Sequence, residues 1–216
     1  MKKLLIFGFD GTIANTLPGM LYCFNRTATS MGYFPVEPNA LYDVIGISLN
    51  ASFRILYDMK DDEIEYAANN YSKLYSQKGK TMATLYDGLE ESLKKLKDDG
   101  FKLAIATLKH KMYTTDILKI YKIENLFDAI CATDVDRNLN KNDLIVEACR
   151  LTDASIEDSV LIGNNDIDAH GAIEVGMDFV AAMYGPGFKA KGKPEKYNCK
   201  EYINSVSEMY TKLKML

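Results

Sequence analysis

Short apolar runs bounded by turn residues recur along the chain, and between them lie longer segments whose apolar residues return every three or four positions. A strand covered on both faces reads as a continuous apolar run, so this alternation is the pattern of buried parallel strands joined by crossover helices. Five strands are expected: Leu4 to Phe9, Lys102 to Ala106, Ala129 to Ala132, Ser159 to Ile162 and Phe179 to Ala182. Gly88 to Asp99 has helical spacing, with Leu89, Leu93 and Leu96 on one face and Gly100 as a stop. Met112 to Tyr121, Asn142 to Leu151 and Asp168 to Val175 continue the series. The prediction is an α/β fold on a doubly wound parallel sheet, whose ligand crevice lies beyond the carboxyl ends of the strands.

One region breaks the alternation. After Leu17 come about sixty residues with helical periodicity and no convincing strand. Helices are expected near Leu17 to Met31, Pro38 to Val44, Leu49 to Tyr57 and Asp61 to Gln77, with Gly32, Gly46 and Gly79 as breaks. The tyrosines from Tyr66 to Tyr75 fall at helical spacing and read as packing. Because the region falls between the first strand and the rest of the sheet, it is expected to be an all-helical insertion over the crevice, able to act as a lid. The division is then residues 16–80 for the helical cap, and 1–15 with 81–216 for the α/β core.

Bulk properties narrow the choice of partners. At 216 residues the chain is long enough for a sizeable core, and 47% hydrophobic with 26% charged residues is ordinary for a globular protein. A net charge of −4 with no basic patch argues against nucleic acid. Asp10 interrupts the apolar start before a signal-peptide core of about 7 to 15 residues could form. No run of about 18 apolar residues offers a membrane span. Cys23, Cys131, Cys149 and Cys199 lack the spacing of a zinc site or a disulfide scaffold, and neither His110 nor His170 sits in a motif that would activate one of them. Reduced, buried thiols in a cytoplasmic protein are expected, with a monomer as the expected state.

Polar residues stand where the strands end. Phe7-Gly8-Phe9-Asp10-Gly11-Thr12 closes the first strand with a carboxylate and a hydroxyl. By itself an Asp-Gly pair reads as a turn. Thr107, Lys141 and the run Gly163-Asn164-Asn165-Asp166-Ile167-Asp168 then follow at or after later strands. Singly, each has a plain structural reading: Thr107 as a strand-end cap, Lys141 as a solvated lysine, Asp168 as a helix-dipole partner, Asp166 as a loop residue. Four such signals in this order are much harder to obtain by chance.

On these motifs the chain resembles the haloacid dehalogenase superfamily, and within it the phosphoglycolate-phosphatase-like members with a helical cap of the C1 type. Asp43-Val44-Ile45-Gly46-Ile47-Ser48-Leu49, Leu85-Tyr86-Asp87-Gly88 and Asp136-Arg137 are further echoes. The resemblance implies Mg²⁺-dependent hydrolysis of a small phosphorylated metabolite. It places the nucleophilic aspartate at position 8, the proton-handling acid at Asp10, a phosphoryl-binding hydroxyl at Thr107 and a charge-neutralising lysine at Lys141. The Mg²⁺ ligands would be Asp10 and the fourth-motif positions Asn164 and Asp168. Asp166 is a lesser candidate for the metal, and Arg54 and Lys73 are weaker candidates for substrate selection by the cap.

Two departures matter. Gly8 has no side chain to form an aspartyl-phosphate, and Asn164 keeps an oxygen but lacks the charge, so Mg²⁺ affinity should fall. Two separate motifs are altered, which reads as divergence rather than a single disabling change. Two functions stay open: a phosphoglycolate-phosphatase-like hydrolase impaired at Gly8 and Asn164, or a catalytically inactive relative that binds a phosphometabolite and regulates.

Overall fold

The computed structural model describes residues 2–134, 139–192 and 194–216. Asp136 and Arg137, an echo of the family pattern in the sequence, lie outside the described residues. The chain opens with β1 (Leu4–Phe7), a short β2 (Ala14–Asn15), and the helices α1 (Leu17–Ser30), α2 (Leu49–Tyr57) and α3 (Asp61–Gln77). It returns through β3 (Thr84–Leu85), α4 (Leu89–Asp98), β4 (Lys102–His110), α5 (Lys111–Ile120), β5 (Ala129–Thr133) and α6 (Lys141–Thr152). The last part is β6 (Ser159–Gly163), α7 (Asp166–Glu174), β7 (Asp178–Ala182), α8 (Pro186–Lys191), β8 (Glu201–Ile203) and α9 (Val206–Lys214).

Six strands form a parallel sheet in the order β5-β4-β1-β6-β7-β8. The continuous apolar run of β1 is explained by its central place. Leu5 and Phe7 pack on one face with Leu89, Leu93 and Leu96 of α4 and Met209 of α9, while Leu4 and Ile6 pack on the other with Leu144 of α6 and Ala169 of α7. Helices therefore cover both faces, and the sheet is doubly wound. From β1 the chain builds outward to β4 and β5 on one side and to β6, β7 and β8 on the other. The carboxyl end of β1 is thus the topological switch point, where open α/β sheets bind ligands.

The insertion has a core of its own. Cys23 and Phe24 of α1, Phe53 of α2 and Tyr71 and Tyr75 of α3 are buried together. Phe24 meets Phe53 at 5.1 Å and Tyr71 at 4.5 Å between ring centroids, distances at which aromatic pairs add to the burial they share. Tyr71 and Tyr75 thus pack as the spacing predicts, whereas Tyr66 is exposed. No helix among the described residues is long and apolar enough to cross a membrane.

The α/β fold with its all-helical insertion is as expected, and the boundaries differ in instructive places. β1 stops at Phe7, because Phe9 and Asp10 turn into a bridge between Asp10 and Ala14 rather than extending the ladder. Pro38–Asp43 is a 3-10 helix, and Gly79 begins another rather than only ending α3. Five elements have no counterpart in the sequence reading. β2 and β3 pair as a two-residue antiparallel ribbon at the root of the insertion, α8 is six residues long, and β8 and α9 complete the sheet's far edge.

Candidate functional site

The polar strand ends converge. Asp10, Thr107, Lys141 and Asp168 line one cleft at the carboxyl ends of the central strands, a cavity of ≈ 30 Å³ closed over by Ile45 and Gly46 of the insertion. Each is placed by a different local device. Asp10 follows β1, and its Oδ1 accepts a hydrogen bond from Thr16 Oγ1 at 2.7 Å. Thr107 sits where the β4–β5 pairing shifts register, and its buried hydroxyl accepts from Lys109 N at 3.1 Å.

Lys141 opens α6, behind an Asn140–Asp143 capping box that fixes where the helix begins. It is buried, and its ammonium donates to the Ala106 carbonyl at 2.6 Å and pairs with Asp168 Oδ1 at 2.6 Å. Asp168 lies in the first turn of α7, whose cap Asn165 accepts from Ile167 N and Asp168 N at 2.9 and 3.0 Å. The second oxygen of Asp168 accepts from Asn164 N at 3.0 Å.

Gly8 is buried, donates its N–H to Ile162 O at 2.8 Å and does not need a glycine conformation, since its φ is not positive. A Cβ built there would lie 3.2 and 3.3 Å from the two carboxylate oxygens of Asp168 and 3.2 Å from Thr12 Oγ1. A side chain at position 8 would thus be aimed at Asp168.

Asn164 belongs to a different environment. It is fully buried, and its Oδ1 receives Thr12 Oγ1 and Asn165 Nδ2 at 3.4 Å each. Its Nδ2 is buried without a hydrogen-bond partner, close against Gly11 and Gly185. It does not line the cleft. Asp166 is also engaged elsewhere, accepting from Tyr197 OH at 2.6 Å with Lys196 3.4 Å away. His170 is exposed on α7, its ring 5.1 Å from that of Tyr197. Arg54 is spent on an exposed ion pair with Asp61 at 2.7 Å and Lys73 is exposed, so neither reaches the cleft.

The residue that sequence reasoning missed is Lys109. Its ammonium, almost fully buried, lies 3.0 Å from Asp10 Oδ1 and 4.5 Å from the centre of the Tyr75 ring, inside the cleft wall. Burial opposes its charge, but the Asp10 carboxylate and Tyr75 outweigh that and hold its pKa above the ordinary lysine value. The available signal was its place two residues beyond Thr107 at a strand end. Three of the cysteines are held as thiols: burial raises Cys23 to about 12, and Cys149 and Cys199 are raised for the same reason.

A sequence profile described as haloacid dehalogenase-like hydrolase matches residues 5–182. The chain belongs to the haloacid dehalogenase-like hydrolases. Within them it is similar to a phosphoglycolate phosphatase of Psychrobacter arcticus, 24% identical over 85% of this chain and 84% of that one. It is also similar to the tyrosine-protein kinase PtkA of Mycobacterium tuberculosis, 27% identical over 86% of this chain, and spans 63% of that relative's length. The crystal structure of a predicted phosphatase from Clostridium acetobutylicum superimposes with a TM-score of 0.90 at 26% identity, covering 100% of both chains. The haloacid dehalogenase-like phosphatase core with a helical cap is thus the architecture of this chain.

Phosphatases of this family generally use Mg²⁺, and the residues present here do not fit such an ion. Of the three expected ligands, Asn164 is uncharged with its Oδ1 engaged by Thr12 and Asn165, and Asp168 has one oxygen on Lys141 and the other on a backbone N–H. Among the described residues no group of three or more His, Cys, Asp or Glu side chains is placed to hold a metal. The cleft is balanced by protein groups instead, with Asp10 against Lys109 and Asp168 against Lys141.

Proposed function

We propose that this chain binds the phosphoryl group of a small phosphorylated molecule and, as its sequence stands, turns it over poorly or not at all. The core, residues 1–15 and 81–216, supplies the phosphoryl cleft, and the cap, residues 16–80, covers it. Thr107 offers a hydroxyl, and Lys141 and Lys109 offer ammonium groups, within one cleft of anion size. Donors fixed in advance around a low-dielectric site are what a phosphoryl oxygen requires. Asp10, with its Oδ1 held by Thr16 and Lys109, is the proton-handling group. Relatives named phosphoglycolate phosphatase and pyrophosphatase support a small phosphorylated ligand.

The observation that carries the reading is Gly8. The backbone conformation there suits any residue, and a Cβ would point at the Asp168 carboxylate and Thr12 at 3.2 to 3.3 Å, so the nucleophile's place is kept while its carboxylate is missing. A covalent route needs that oxygen. Losing a nucleophile in other covalent enzymes removes several powers of ten in rate, leaving what binding and electrostatics still supply.

The test is a phosphatase assay on small esters with Mg²⁺, comparing the unaltered chain, Gly8→Asp, Asn164→Asp and the double variant. The unaltered chain should show no turnover above background, and the double variant should gain roughly a thousandfold or more and require Mg²⁺. Brisk turnover by the unaltered chain would overturn the assignment of Gly8. Failure of every version to turn over or to bind inorganic phosphate would overturn the cleft.

A further inference from the structure

Next to the Asp10-Gly11-Thr12 turn, a groove of ≈ 390 Å³ runs where the insertion meets the core, and it shares no described wall residue with the phosphoryl cleft. Leu17 and Tyr42 line it from the insertion, and Tyr86, Tyr184, Pro186 and Lys189 from the core. We infer that this groove is a second ligand site, separate from the phosphoryl cleft, and that its ligand is a planar aromatic anion of about two fused rings.

The walls argue for a flat, apolar body. Tyr86 and Tyr184 meet edge-on with 4.9 Å between ring centroids, and both pack against the sheet's core. Tyr71 and Tyr75 are buried in the insertion, whereas Tyr42, Tyr86 and Tyr184 all stay partly exposed where they line the groove. Tyr184 is fixed in place by its hydroxyl, which donates to Thr12 O at 2.8 Å. Burial pushes the Tyr86 and Tyr184 phenols above their ordinary value, so neither ring brings a negative charge. Small-molecule sites are typically aromatic-lined, of about 300 to 1,000 Å³, and set at a boundary between two folded bodies. A cavity of roughly 150 Å³ holds one benzene ring, so this one admits two fused rings with a substituent.

The charge argues for an anion. Among the described residues lining the groove Lys189 is the only lysine or arginine, and no Asp or Glu lines it. Lys189 is exposed on α8 and makes no ion pair with a described residue, so its charge is unanswered within the protein. An exposed ion pair contributes little in water, so the rings supply most of the affinity and the cation decides between an acid and its neutral amide. The segment that carries Tyr184 also rests on the cleft's own loops: Phe188 N donates to Asn164 O at 2.8 Å, and Gly185 lies so close to Gly11 O that no Cβ would fit. A ligand held between Tyr42 and Tyr184 touches insertion and core at once, and its binding favours the arrangement in which they are together.

The test is calorimetric titration of the unaltered chain with naphthoate, its neutral amide and acetate, with and without inorganic phosphate. Naphthoate should bind at one site per chain and not be displaced by phosphate. The amide should bind roughly two- to fivefold more weakly, and acetate not measurably. Lys189→Gln should bring naphthoate down to the level of the amide and leave the amide unchanged. Tyr42→Ala and Tyr86→Leu, each checked for an unaltered circular dichroism spectrum, should weaken both ligands at least fivefold. No binding of naphthoate at millimolar concentration overturns the site, and so does displacement by inorganic phosphate, which would put the ligand in the cleft. Binding unmoved by both tyrosine variants also overturns it. Equal affinity for acid and amide, or no response to Lys189→Gln, overturns the anionic ligand.

Discussion

Gly8 lies at the end of β1 in a backbone conformation that does not require glycine, and the effect of adding a side chain there can be followed from its neighbours. In Gly8→Asp the new Cβ meets both Asp168 oxygens at 3.2 to 3.3 Å, so a second carboxylate is pressed against the first. Like charges brought close together disfavour ionisation of both. The single variant should therefore melt at lower temperature than the unaltered chain without divalent ions, and recover when Mg²⁺ is added, because an ion that binds only the folded state stabilises it. Thermal melts with and without Mg²⁺ check this, and an unaltered chain that also shifts with Mg²⁺ would contradict the charge balance drawn from the cleft. Lys141 gives the complementary case. Lys141→Met leaves Asp168 buried and unpaired and should destabilise by about 3 kcal/mol, most of it regained in the Lys141→Met, Asp168→Leu pair, as read by urea denaturation.

Elements are held in register by side chains that reach backbone. Asp128, just before β5, accepts from Leu103 N of β4 at 2.8 Å and from Lys97 of α4 at 2.7 Å, tying strand, strand and helix together. Burial alone would raise its carboxyl, but the Lys97 and Leu103 hydrogen bonds win and hold it below the ordinary value of 3.8. A carboxyl depressed in the folded state adds stability that is present above its unfolded value and lost as pH falls through the folded one. Stability should decline on acidification from about pH 4 downward, and Asp128→Asn should flatten that part of the curve in urea melts taken across the acid range. A decline of unchanged slope in the variant would remove Asp128 from the account.

At the scale of the molecule, the sheet and the helical insertion keep separate cores, and the small phosphoryl cleft is pinched between them by Ile45, Gly46 and Ile167. A Cβ at Gly46 would stand 3.1 Å from Ile167 Cδ1, which shows how closely the lid approaches α7. Entry of a ligand larger than the cleft requires the two bodies to part, and its binding should hold them together. Hydrogen exchange should slow on adding inorganic phosphate in the turn around Ile45 to Leu49 and in Thr107 to His110, while the β1 amides, already at the centre of the sheet, stay unchanged. Uniform slowing over the whole chain would point to general stabilisation instead of closure.

Much of this was readable before any coordinates. The parallel strands announced themselves as apolar runs because both faces of the sheet are covered, and α2 and α3 fell where their spacing put them because each buries one stripe against the insertion's own core. β8 was missed because an edge strand of three residues carries too short a pattern to stand out from its surroundings, whereas α9 has the helical spacing Val206, Met209, Leu213 and could have been read. The sequence by itself determined the fold class, the interruption by a helical unit and the absence of a side chain at position 8, since these depend on residue identity and local periodicity. Only the tertiary structure decided that Lys109 shares the cleft with Asp10, that the Asn164 amide is buried on Thr12 and Asn165 and that Asp168 is already bound to Lys141. Those outcomes depend on which way side chains turn once strands distant in sequence are brought side by side, and no local pattern encodes that.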